Sequence, residues 1–174
     1  MNKTFVFLPI FIVILACQQF SSTQSKGELK VNTTTTYYFI RHAEKELSGD
    51  NPNLTEEGKR HAEAWSSYFS DKSLDLIYST DFNRTQQTAK AVSDKTGISV
   101  FSYDVNQSYT ETFKKETLGK NVLIVGHSNT IPGFVNDIIG ENKYSDLDEE
   151  NYDSLFTVIL KDDRATSSVT TIND

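Results

Sequence analysis

Asn121-Val122-Leu123-Ile124-Val125-Gly126-His127-Ser128-Asn129-Thr130 couples an unbroken aliphatic run to a glycine and then to a cluster of polar side chains. A strand with one wet face alternates apolar and polar residues. A run that is apolar at every step belongs to a strand covered on both faces, as in a parallel sheet flanked by helices. The polar cluster then falls just beyond the strand's carboxyl end, where α/β sheets bind their ligands. Outward from this segment the pattern repeats. Ile131 to Ile139 reads as a helix, and upstream Ser108 to Leu118 reads as a short helix opened by a Ser108-Tyr109-Thr110-Glu111 capping box. Thr35 to Ile40, Leu74 to Ser79 and Ile98 to Tyr103 are β-branched and aromatic strands. Between them lie a helix capped by Thr55, with Ala62, Trp65 and Phe69 as its core stripe, and a second helix from Asp81 to Lys95 that stops before Gly97. Leu155 to Leu160 and Ser167 to Ile172 are late strands after an acidic loop that ends at Asp153. Strands alternating with helices predict a three-layer α/β/α sandwich around a largely parallel central sheet.

The chain has 174 residues, enough for one domain and a short appendage. Its 17 Lys and Arg stand against 24 Asp and Glu, which argues against nucleic acid as a partner. One cysteine and three histidines exclude an intramolecular disulfide and Cys-based or His-rich metal centres, so no metal or other cofactor is expected. The cysteine, Cys17, follows Lys3 and the apolar run Phe5 to Ala16, too short to span a bilayer and shaped like a secretory signal. Ile14-Leu15-Ala16-Cys17 resembles a bacterial lipobox. The expected organisation is a signal peptide over 1–16, a Ser/Thr/Gln-rich tether over 17–33 and a folded domain over 34–174, exported and held at a cell-envelope or periplasmic membrane by lipid on Cys17.

Three polar clusters follow predicted strands: Arg41-His42, the Ser79 to Arg84 segment, and His127-Ser128-Asn129. Two arginines and two histidines converging on one crevice make a local cationic pocket in an acidic protein, suited to a tetrahedral dianion such as a phosphoryl group. Ser128 and Asn129 offer further donors. A histidine with one bare nitrogen could also attack phosphorus and carry the group covalently. His61 lies within the Thr55-capped helix and reads as part of a solvated face.

Arg41-His42-Ala43-Glu44 resembles the Arg-His-Gly signature of the histidine phosphatase superfamily, also called phosphoglycerate mutase-like. Leu54-Thr55-Glu56-Glu57-Gly58, the Tyr78 to Ala89 segment and Val125 to Thr130 resemble three further motifs of that family, in family order. The resemblance implies a phosphoglycerate mutase-like fold and His42 as nucleophile, with Arg41, Arg84 and His127 binding the phosphoryl oxygens. It also implies a metal-independent phosphatase acting on phosphomonoesters or phosphohistidine, with a phosphorylated small molecule or a phosphohistidine protein as partner. The chain is short, like the phosphohistidine phosphatase branch, and the stretch between Arg84 and Gly119 has little material for a lid. Ala43 replaces the usual glycine, which is tolerable if the backbone there avoids positive φ. Many relatives carry a proton donor after the second arginine; Asp104 and Glu111 are the candidates, and a site with no dedicated acid is the third option. A mutase-type phosphotransferase and a non-catalytic phosphate-binding lipoprotein are the alternative functions.

Overall fold

The computed structural model describes residues 33–162 and 164–172. The signal segment, nearly all of the tether and Cys17 lie outside the described residues. In chain order the elements are β1 (Thr34–Arg41), α1 (Glu56–Phe69), β2 (Leu76–Ser79), α2 (Asn83–Thr96), β3 (Val100–Ser102), a 3-10 turn (Val105–Gln107), α3 (Glu111–Thr117), β4 (Asn121–Gly126), α4 (Ile131–Ile139), β5 (Ser154–Lys161) and β6 (Arg164–Thr171). The strands form one sheet in the order β3-β2-β4-β1-β5-β6. β3, β2, β4 and β1 are mutually parallel, β5 runs against β1, and β6 runs against β5. β5 alone therefore opposes the rest, and the sheet is largely parallel.

Strand alternation sorts the side chains into two cores. Ile40, Leu123, Val125, Ile77 and Leu155 meet Trp65 and Phe69 of α1 and Ala89 and Val92 of α2 on one face. Tyr37, Phe39, Val122, Ile124 and Val158 meet Phe113 of α3 and Phe134, Val135 and Ile138 of α4 on the other. That is the three-layer sandwich, with β4 buried on both faces as its apolar run requires. Each fully buried large aliphatic or aromatic side chain contributes roughly 1.5–3 kcal/mol over its exposed state.

Local chemistry sets the element ends. The Thr55 hydroxyl accepts from Gly58 N at the start of α1, with Glu56 and Glu57 in its first turn. Gly97 closes α2 at φ 76°. The capping box at Ser108 does not form. Asp104 caps the 3-10 turn and takes up the residues before Ser108, so α3 starts at Glu111, where the Thr110 hydroxyl accepts from Phe113 N. β3 is shorter than its sequence suggests because its partner β2 supplies only four residues. β6 starts earlier, at Arg164, because it forms a hairpin with β5 in which Lys161 pairs with Arg164.

Candidate active site

Parallel register brings the polar clusters to one edge. Arg41 at the end of β1 is paired with Gly126 of β4, and Ser79 of β2 with Val125, so the residues that follow the three strands emerge side by side. His42 N donates to the Gly126 carbonyl at 2.9 Å, which fixes His42 beside His127. The His42 and His127 rings lie 5.5 Å apart, edge to face. Arg84, in the first turn of α2, completes a cavity of about 400 Å³ lined by all four side chains.

The tautomers follow from the hydrogen bonds. His42 Nδ1 lies 2.8 Å from the Ala43 carbonyl, which can only accept, so Nδ1 carries the proton and Nε2 holds a free electron pair. Burial, above all, pushes the His42 pKa down to about 3, helped by the charges of Arg41, His127 and Arg84 and opposed by the Ala43 bond. His127 has the opposite arrangement. Arg84 Nη2 can only donate, so at 3.3 Å His127 Nδ1 accepts, and Nε2–H donates to Thr80 Oγ1 at 2.9 Å. Thr80 in turn donates to Thr85 Oγ1, and that hydroxyl donates to the Thr80 and Phe82 carbonyls. Burial, then Arg84 and Arg41, holds the His127 pKa at about 4. The Arg84 guanidinium lies 4.6 Å over the Phe82 ring, whose edge meets His127 at 5.1 Å.

Arg41 is only 1% exposed and has a second task. Its Nη1 donates to the carbonyls of Asp148 (3.1 Å), Glu149 (2.6 Å) and Asn151 (3.2 Å), and its Nη2 to Glu149 Oε2 (2.9 Å). Tyr152 lies against its face at 4.2 Å. The loop between α4 and β5 is thereby strapped across the site. Ser128 donates to Glu149 Oε1 at 2.9 Å, and that bond, with Arg41, holds the Glu149 carboxyl below the usual carboxylate range. Nε of Arg41 and Nε of Arg84 are buried without a protein partner. A bound oxyanion would answer such donors.

Arg41, His42, Arg84 and His127 are thus brought together, and Ser128 and Asn129 line the same cavity. Asp104 and Glu111 do not line it. Asp104 accepts from Asn106 and lines a neighbouring hollow, while Glu111, its side chain 90% exposed, pairs with Lys114. His61 is not on a solvated face. It is 5% exposed, stacked on Trp65, with Glu44 at 3.1 Å from Nδ1 and Asp153 at 3.4 Å from Nε2. The α1 face that looked polar in sequence packs on the two carboxylate-bearing loops. Ala43 lies outside the positive-φ region and its N–H donates to Thr88 Oγ1, so no glycine is needed. Gly58 is needed, because a Cβ there would strike the Glu44 carbonyl. Glu149 and Tyr152 were invisible as site residues. Their only signal was the density of carboxylates between Asp146 and Asp153, which reads equally as a solvated loop.

Comparison with known proteins adds a family match over part of the chain and a fold. The family model described as "Histidine phosphatase superfamily (branch 1)" matches residues 37–104. No curated protein matches the sequence. Among solved structures, the protein histidine phosphatase SixA complexed with tungstate is similar at a TM-score of 0.63 and 16% identity, covering 78% of this chain and 96% of that one. The phosphoserine phosphatase of Entamoeba histolytica with 3-phosphoglyceric acid aligns at 0.62 and 15%, covering 80% and 98%. The α-ribazole phosphatase of Shigella flexneri aligns at 0.61 and 16%, covering 79% and 96%. At these identities the likeness shows the fold.

Proposed function

We propose, from the match of residues 37–104 to the histidine phosphatase superfamily and from the shared fold, that the chain is a metal-independent phosphatase that transfers the substrate's phosphoryl group to His42 and then to water. The observation that carries this reading is the His42 tautomer: Nδ1–H is spent on the Ala43 carbonyl, leaving the Nε2 electron pair in a cavity lined by Arg41, Lys45, Arg84 and His127, with Glu149 as the one carboxylate among its lining residues. Substrate oxygens would take the free Nε–H groups of Arg41 and Arg84. His42 Nε2 attacks phosphorus in line, the bond to the leaving atom breaks, and that atom departs with the electron pair. The Ala43 carbonyl steadies the ring, whose second nitrogen becomes cationic once Nε2 is bonded to phosphorus. Depression of the His42 pKa keeps the nucleophile unprotonated throughout the neutral range. Arg84 supplies positive charge to the phosphoryl oxygens, and the Thr80–Thr85 chain fixes the His127 ring beside them.

Substrates are phosphomonoesters or phosphohistidine, and the domain works outside the cytoplasm, tethered through lipid on Cys17. Phosphate release from p-nitrophenyl phosphate and from phosphohistidine in EDTA, with an acid-labile, alkali-stable adduct in wild type and none in His42→Ala, is the expected result. No release from either compound, or an adduct unchanged in the variant, would refute the mechanism. Mass spectrometry of the mature N-terminus tests the anchor: an unmodified chain beginning at Met1 in the cytoplasm rejects it.

A further inference from the structure

Glu149 is the one carboxylate among the residues that line the cavity. Its placement is built, although its side chain is 79% exposed. Arg41 holds its backbone carbonyl and its Oε2, and Ser128 holds its Oε1. The loop that carries it is pinned on both sides: Leu147 N donates to the Ser128 carbonyl, and Asp153 sits beside His61 Nε2 while its own carbonyl accepts from Ile172 N. Within the loop Asn151 N closes a turn onto the Asp148 carbonyl. A water-exposed carboxylate therefore lines the same cavity as His42, from a loop with little freedom to take it elsewhere.

Its partners decide which way it moves a proton. Ser128 and Arg41 both donate to it, so it rests as the ionised form and is an acceptor. A general acid for the first transfer would need the opposite environment. We propose that Glu149 is the general base of the second half-reaction, taking the proton from the water that hydrolyses phosphohistidine at His42. The proposal rests on the covalent mechanism above. In the step, the water oxygen bonds to phosphorus, the Nε2–phosphorus bond breaks with its electron pair returning to Nε2, and the water proton passes to a Glu149 oxygen. Hydrogen phosphate leaves and Glu149 gives the proton to solvent, to which it is open. The substrate class follows. With Glu149 ionised in the resting state and Asp104 and Glu111 away from the cavity, the first transfer favours leaving atoms that carry their own proton or need none. Phosphoramidates meet that requirement and alkyl phosphomonoesters do not.

Rapid-quench kinetics with p-nitrophenyl phosphate and inorganic phosphoramidate on the full domain test the assignment, using Glu149→Gln and Glu149→Ala. The expected result is a first-turnover burst within about threefold of wild type, a steady-state rate lower by about 10²-fold, and near-stoichiometric phosphohistidine on His42. Formate should restore turnover to Glu149→Ala. Parallel loss of burst and steady state, with no trapped adduct, would mean that Glu149 only positions Arg41 or acts as an acid, and would overturn the proposal. Wild-type steady-state rates in both variants would do the same. If the wild-type protein itself forms no adduct and releases no phosphate, the phosphatase reading falls, and this inference with it.

Discussion

The two sides of the cavity are made by different physics. His42 and His127 project from the ends of β1 and β4, and the neighbouring end of β2 leads into the turn that presents Arg84. Those strands have their register locked by faces buried on both sides of the sheet. Glu149 and Tyr152 come from a loop with no secondary structure, held by four hydrogen bonds from one guanidinium and a ring contact. The first side is placed by many weak apolar contacts. The second depends on Arg41, which belongs to the first side, so a single residue joins the chemistry to the loop's architecture.

The contrast can be broken most forcefully at the nucleophile. His42→Ala removes a side chain whose neighbours are fixed independently by the sheet. Turnover should fall by at least about 10³-fold, while circular dichroism and the urea midpoint stay close to wild type. A large loss of stability in that variant would mean that the strand ends are not self-supporting.

Arg41 and Arg84 sharpen the same contrast because both bind the phosphoryl group yet differ in what else they hold. Arg84→Ala should cost about 10²-fold in kcat/KM and under about 1 kcal/mol of stability. Arg41→Ala should cost at least as much activity and a further ~3 kcal/mol in urea unfolding, since it empties a buried site and removes the donor to three backbone carbonyls, while the Glu149 carboxylate is open to water and adds little. Arg41→Lys keeps the charge without the planar fork and should recover little of either. Equal stability losses in the two alanine variants would show that the loop is held by something other than Arg41.

The division also explains what could be seen from sequence. β1, β4 and α4 were legible to within a residue or two because the β4 run is apolar at every step and the flanking residues show clear periodicity. Arg41, His42, Arg84 and His127 were legible because each follows a predicted strand, and parallel register turns that position into proximity. Glu149 was not, because it is held by its backbone carbonyl as much as by its side chain, and a carbonyl leaves no trace in a sequence. Ser108 misled for a similar reason: Thr110 competes for the same cap, and the preceding 3-10 turn decided between them. His61 looked solvated because its partners, Glu44 and Asp153, are 17 and 92 positions away.

Acid should act on the strand-end side through one pair of residues. His42 and His127 have pKa values lowered from 6.5 to about 3 and about 4, so the folded state binds fewer protons than the unfolded chain between those values and 6.5. Stability therefore rises with pH across this window and is lost as pH falls below about 6.5, by up to about 1.4 kcal/mol per pH unit for each histidine. Urea midpoints measured from pH 7 to pH 4 should fall, and the slope should lessen in His127→Asn. Over the same range His42 stays unprotonated, so the burst should persist below pH 6 for as long as the protein remains folded. A burst that titrates away near pH 6.5 would show His42 to be more solvated than its 3% exposure implies.

The smallest effects belong to the carboxylates that sequence placed nearest the chemistry. Asp104→Asn keeps most of a surface cap, and Glu111→Gln removes one exposed pairing with Lys114. Each should leave phosphate release within about twofold of wild type and stability within about 0.5 kcal/mol. Both residues lie on the β3–α3 segment, which is neither a locked strand end near the nucleophile nor part of the loop that Arg41 holds. A tenfold loss in either variant would require that segment to move onto the cavity when substrate binds, adding a third, mobile wall to a site whose two other walls are fixed by the sheet and by one arginine.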